Sequence, residues 1–238
     1  MADFKTHITT STAIGVVYGT AGHLEWNIPT STCVIAATLC GLAGMLPDMD
    51  SDSGHSQREI MTYAAAVTPM LMISQFANLG LNHEQMVIAS GCVYIIIRFG
   101  LGEILRRYVR HRGMFHSIPA AIIAGLVASL ICSCEVMTFR LFKVGAVVLG
   151  FMIHLVLDEL WAIEWHRGRL RFKNSFGTAL KMFSDRWFPN FLTYGLLLFV
   201  SALALNEPAI AEYLSGPLKR TQFTSEQLQE VPIPPIRR

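Results

Sequence analysis

"FRLFKVGAVVLGFMIHLVLDE", residues 139–159, reads as a membrane-spanning helix that ends on a histidine and two acids. The apolar part runs over 139–157, and a spanning helix needs about 20 residues, with roughly 17–25 tolerated. His154 and Asp158 stand four residues apart, so a helix carries the imidazole and the carboxylate on one face. That spacing is frequent among metal ligands. Ionisable groups at membrane depth are costly, which makes this helix end a candidate site.

Six more apolar runs flank this one, at 8–22, 31–46, 61–79, 85–105, 117–135 and 190–206. The first two are short and rich in Ser, Thr and Gly; they either span or pack inside the protein. Gly15 and Gly19 form a GxxxG, a sign of close helix contact. With 52% hydrophobic and 15% charged residues, against about 25% charged in soluble domains, the composition is that of a membrane protein. Mean hydropathy is +0.42. The net charge of +2 and the lack of a long basic run exclude a nucleic-acid partner. "MADFKTHITTSTAIG" has one lysine and no convincing cleavage site, so it is not read as a signal peptide. Five cysteines without a CxxC read as helix-packing thiols rather than a disulfide framework or zinc knuckle.

The expected fold is all-α, a polytopic transmembrane bundle of about six to seven segments. It forms one domain over 1–206, followed by a flexible Pro-containing tail at 207–238 that ends "VPIPPIRR". Within the segment 158–189, "FGTALKMFSDRW" (176–187) puts Phe176, Leu180, Phe183 and Trp187 on one helical face. This predicts an amphipathic helix, either lying on the membrane surface or packed over the site.

Four polar clusters punctuate the runs: His7; Asp48, Asp50, Asp52 and His55 in "LPDMDSDSGH"; His111 and His116 in "RHRGMFHS"; and His154 with Asp158. If every run spans, the positions before run one and after runs two, four and six share one side of the membrane. Four separate clusters then converge at one end of a helix bundle, the way bundles build metal sites. Lys5, Arg58, Arg106, Arg107, Arg110 and Arg112 lie on that side too, as do Arg167, Arg169, Arg171, Lys173, Lys181 and Arg186. The connections at 23–30, 80–84 and 136–138 contain no Lys or Arg, which makes the rich side cytoplasmic. His23 and His83 fall opposite, and His55 and His166 fall in loops. Arg98, inside the fourth run, either pairs with Glu103 or snorkels.

The His, "GMLPDMD" (44–50), "HRGMFHS" (111–117) and "HLVLD" (154–158) succession resembles the YdjM-like family, described as inner-membrane, metal-dependent hydrolases. The resemblance covers about residues 5–190 and departs at Ser51, where the family's pattern often has His. The His/Asp layout is also loosely similar to zinc-dependent phospholipase C and related nucleases, which would imply phosphoester hydrolysis in a bacterial inner membrane.

The expected metal ligands are His7, Asp48, Asp50, His111, His116, His154 and Asp158. Mixed imidazole and carboxylate ligation suits Zn, with Mn or Fe as alternatives, and argues against calcium. Seven ligands exceed the needs of one tetrahedral zinc, so one or two ions are expected, a pair lying about 4 Å apart. Arg112 reads either as a clamp on an anionic substrate or as a topology residue. Glu159 reads as a general base, as a partner of the ligands, or as a solvated helix end. The lipid–water boundary makes membrane lipids the natural partner and a lipid head group the natural substrate. A metal-binding transporter or regulator without hydrolysis is the alternative function, and a purely structural membrane protein is a third. No Gly-x-Ser-x-Gly or Ser-His-Asp arrangement is present, which excludes a covalent serine mechanism.

Overall fold

The computed structural model describes residues 3–50, 54–103, 114–132, 134, 136–166, 169–172, 177 and 180–215. Side chains are described for all of these except 49–50, 54–57, 164–166, 169–172 and 215. The fold is an all-α bundle. Helices α1 (Phe4–Trp26) and α2 (Thr30–Ala43) lead to a 3₁₀ turn, Leu46–Asp50. Next come α3 (Gly54–Leu71), α4 (Ile73–Asn78) and α5 (His83–Ile95), the last continuing into a π-helical turn at Ile96–Leu101. Then follow α6 (Ile118–Ile131), α7 (Met137–Trp161), a small antiparallel hairpin of β1 (Ile163–His166) and β2 (Arg169–Phe172), α8 (Trp187–Asn206) and α9 (Pro208–Ser215).

All seven apolar runs become helix. Among the described residues, four stretches are long and apolar enough to cross a membrane by length and composition: Thr30–Asp48, His83–Leu101, Met137–Trp161 and Trp187–Asn206. The run at 61–79 is interrupted at Met72. Pro69 cannot donate a hydrogen bond back into α3, and the chain tightens into a turn before α4 resumes.

Helix α1 buries a single stripe, His7, Ser11, Gly15, Gly19 and Gly22, spaced almost entirely at i, i+4. Small residues let the helices approach closely. A Cβ at Gly15 would stand 2.7 Å from Ala37 O, and one at Gly19 2.9 Å from Cys33 O, so α1 and α2 pack backbone to backbone. A Cβ at Gly150 would overlap Cys40 O, which sets α7 equally close to α2. The core is therefore an α1–α2–α7 sandwich around Cys33, Ala36, Cys40, Phe142, Ala146 and Ile153. Helix α6 closes it on another side through Ala128 against Val147. The first two runs are thus the most intimately packed part of the protein. By contrast, α5 buries none of its side chains. Cys33, Cys40 and Cys132 are buried free thiols, as the packing reading expected, whereas Cys92 on α5 is exposed. Arg98 lies in the π-helical turn with its guanidinium 5.4 Å from the Phe99 ring centroid.

Two expectations change here. The amphipathic helix expected at 176–187 is not formed among its described residues, because 180–186 run as a non-helical strap into α8. The backbone bonds a helix would need go elsewhere. Lys181 O accepts from Ile118 N at 3.2 Å, Met182 O from the Tyr194 hydroxyl at 2.9 Å, and Ser184 N and O both bond the Asn190 side chain at 2.7 Å. Phe183 and Trp187 are exposed. The extension after residue 206 begins as helix α9. Residues 216–238 lie outside the described residues.

Candidate metal centre

Five of the seven expected ligands come together at one end of the bundle. Local structure fixes each one. Asp3 caps α1 by accepting from Thr6 N at 3.0 Å, and His7 follows one turn later at the head of the buried stripe. Asp48 is carried by the 3₁₀ turn that ends α2's path. His116 immediately precedes Ser117, the N-cap of α6, whose hydroxyl accepts from Ala120 N at 3.3 Å, with Pro119 set in the first turn. His154 and Asp158 lie one turn apart on α7, as their spacing required.

The donor atoms converge. Asp158 Oδ1 is 3.3 Å from His7 Nε2, and Asp158 Oδ2 is 3.6 Å from both His116 Nε2 and His154 Nε2. Asp48 Oδ1 lies 3.7 Å from His154 Nε2 and 3.9 Å from His116 Nε2. The His7 and His154 rings stack with centroids 3.8 Å apart, and His116 meets His154 edge-on at 5.4 Å. These donors fall into two groups that could hold a metal ion, His7–His154–Asp158 and Asp48–His116–His154.

Their chemistry fits a cation. His154 Nδ1 lies 2.7 Å from Gly44 O; the ring donates to that carbonyl, leaving the Nε2 lone pair for the cluster. His154 Nε2 and both nitrogens of His7 are buried without a hydrogen-bond partner among the described residues. Leaving such atoms bare costs free energy that a metal would recover. Asp48 and Asp158 supply two negative charges, which a divalent ion balances. Donor separations of 3.3–3.9 Å sit close to the roughly 3.4 Å edge of a tetrahedron with bonds of about 2.1 Å. His154 has a single free nitrogen and belongs to both groups, so the two groups share that donor.

The remaining expected residues divide. The Asp50 side chain, His111 and Arg112 lie outside the described residues, as does the His55 side chain. Glu159 is not among the grouped donors; its side chain accepts from Gly177 N. His23 bonds Ile28 O at 2.9 Å at the far end of α1, and His83 opens α5; neither joins the cluster.

Sequence reasoning passed over three supporting residues. Gly44 accepts from His154 and leaves no room for a Cβ against Ser11 Oγ. Ser11 is fully buried one turn from His7, and Gly150 one turn from His154. The i±4 spacing from each ligand was the available signal, and Gly44 stood inside a motif already noted.

These features define a multi-helix membrane protein with a buried His/Asp cluster able to hold a metal ion. The YdjM inner membrane protein family model matches residues 1–204, and the chain belongs to that family. Neither a curated protein nor a solved structure matches it.

Proposed function

We propose that the protein is a metal-dependent hydrolase of phosphoesters, lipid head groups among them, acting at the cytoplasmic face of the inner membrane. The observation that carries this reading is that His7 and His154, whose nitrogens are buried without a hydrogen-bond partner among the described residues, converge with two carboxylates. Zinc suits the mixed donors best, with Mn or Fe as alternatives. Bound there, the ion supplies Lewis acidity toward a phosphoryl oxygen and a water.

The chain's own residues do the rest. His7, His116, His154 and Asp158 form the dry floor, each buried. Asp48, whose side chain is 17% exposed, forms the wetter lip. Glu159, next to Asp158 on α7, accepts from Gly177 N and ties down the chain beside the site. Arg112 clamps the substrate's anionic oxygens. Exposed Phe183 and Trp187 on and after the strap favour a site at the lipid–water boundary. The lysine and arginine distribution favours the cytoplasmic side.

A transporter would carry polar groups through the middle of several helices. The middle of α7 instead buries Ala146, Val147, Gly150 and Phe151, which weighs against that alternative.

The test compares wild type with Asp158→Asn, purified in mild detergent. Wild type is expected to retain a transition metal by elemental analysis and to hydrolyse a chromogenic phosphodiester or a phospholipid in a head-group panel. Asp158→Asn is expected to bind metal more than about 100-fold more weakly. Metal-free wild type would sink the reading. Metal without hydrolysis across ester and phosphoester substrates would leave a metal-binding regulator.

A further inference from the structure

Just beyond the metal centre, the chain sorts its residues in a way that the site does not require. Helix α7, long and apolar enough to cross the membrane, ends at Trp161, and β1 starts at Ile163. After β2, Gly177 N donates to the Glu159 side chain, which ties the chain back to the same helix end. Apart from pairing with each other, the two strands make their main contact with α7, through β1. The β1–β2 hairpin is thereby held at the level where a crossing helix leaves the bilayer.

Its register separates two kinds of residue. The pairs Ile163–Phe172 and Trp165–Leu170 alternate with Glu164–Arg171 and His166–Arg169. Directly opposed residues share a face of the ribbon, and successive residues alternate between faces. One face therefore carries Ile163, Trp165, Leu170 and Phe172, and the other Glu164, His166, Arg169 and Arg171. Residues 163–173 hold Arg167, Arg169, Arg171 and Lys173 against a single acid, Glu164. Membrane sidedness accounts for an excess of Arg and Lys in a loop, but it sets no spacing within that loop. Sorting cations from aromatic and aliphatic residues at a period of two matches a boundary that is apolar on one side and negatively charged on the other. A soluble anion would match the basic face alone.

We propose that the β1–β2 hairpin is a docking element for anionic phospholipid. The face with Arg169 and Arg171 binds the headgroups, and the face with Trp165 and Phe172 lies against the acyl boundary. Tryptophan is enriched at that depth, and each Lys or Arg near an anionic surface adds to the attraction. The proposal stands apart from the hydrolase reading, since no metal ligand takes part in it.

The experiment reconstitutes the full chain in phosphatidylcholine vesicles. These carry a trace of phosphatidylglycerol or phosphatidylcholine with a photoactivatable group at the top of one acyl chain. Labelled peptides are mapped by mass spectrometry. At low salt the hairpin is expected to favour phosphatidylglycerol over phosphatidylcholine about fivefold or more. The exposed α5 residues Val87 and Ile88 are expected to take up both lipids equally. High salt should bring the hairpin's preference close to unity, as should Arg169→Gln combined with Arg171→Gln. Equal labelling of the hairpin by the two lipids in wild type would overturn the proposal, whether or not the double variant folds. A wild-type preference that high salt leaves intact would overturn it too. So would a preference that persists in the folded double variant, which would assign it to other basic segments. A hairpin labelled by neither lipid would overturn it in favour of a soluble anionic partner.

Discussion

At the N-terminal end of α7, Arg140 enters the bundle with a carbonyl and a carboxylate already on its guanidinium. At the C-terminal end, His154 and Asp158 meet His7, Asp48 and His116, and nitrogens of His7 and His154 are buried without a hydrogen-bond partner among the described residues. Both ends bury ionisable groups in an apolar bundle. Arg140 has a counter-charge from Glu207 within the chain, so that end is mostly closed by the protein's own residues. The His/Asp end carries excess acceptors and negative charge, the condition of a site completed by a cation. Burial of charge alone therefore does not mark function; the balance of donors and acceptors does.

Three substitutions sharpen that contrast, beginning with the largest effect. Gly44→Val is expected to damage the metal end twice over. Its Cβ overlaps Ser11 Oγ, displacing α1 and His7, and shifts the carbonyl that orients His154. Thermal melting should report a loss near the top of the roughly 1–3 kcal/mol range for overpacking. Metal titration should show affinity falling about 10- to 100-fold. Unchanged metal affinity would mean that the Gly44 carbonyl does not orient the ligand.

Next comes Arg140→Met, which takes the guanidinium away from Glu207 and leaves that carboxylate with the Ile210 N–H. Because the Glu207 side chain is 28% exposed, the expected cost is about 1–3 kcal/mol, below that of a fully buried pair. Bound metal should stay at the wild-type level, and a parallel loss of metal would erase the distinction between the two ends.

The smallest effect is expected from Ser117→Ala. Losing the α6 cap should cost about 1 kcal/mol. His116 is then held less firmly, and metal affinity should drop by less than about tenfold, a lesser effect than loss of the His154 orienting bond. A larger loss than in Gly44→Val would reverse the ranking of the two supports.

Much of the site was legible before any coordinates. Parity of the apolar runs placed His7, Asp48, His116 and His154 at one end, because a spanning helix reverses side at every crossing. The i, i+4 spacing oriented Asp158 with His154 because helical periodicity is local. The strap was not legible. Residues 176–187 carry a genuine helical apolar pattern, yet Ile118, Tyr194 and Asn190 bind the backbone of 181–184 from elsewhere in the chain. Tertiary hydrogen bonds of that kind leave no periodic trace.

The sequence by itself determined an all-α membrane bundle, the gathering of its polar clusters at one end and the pairing of His154 with Asp158, since hydropathy and periodicity are local properties. Only the tertiary structure decided that Asp48 and Asp158 share imidazoles, that Gly44 orients His154, and that Glu159 accepts from Gly177 N. These depend on distances between helices, and small residues such as Gly15, Gly44 and Gly150 set those distances through close approaches that arise only once the helices pack.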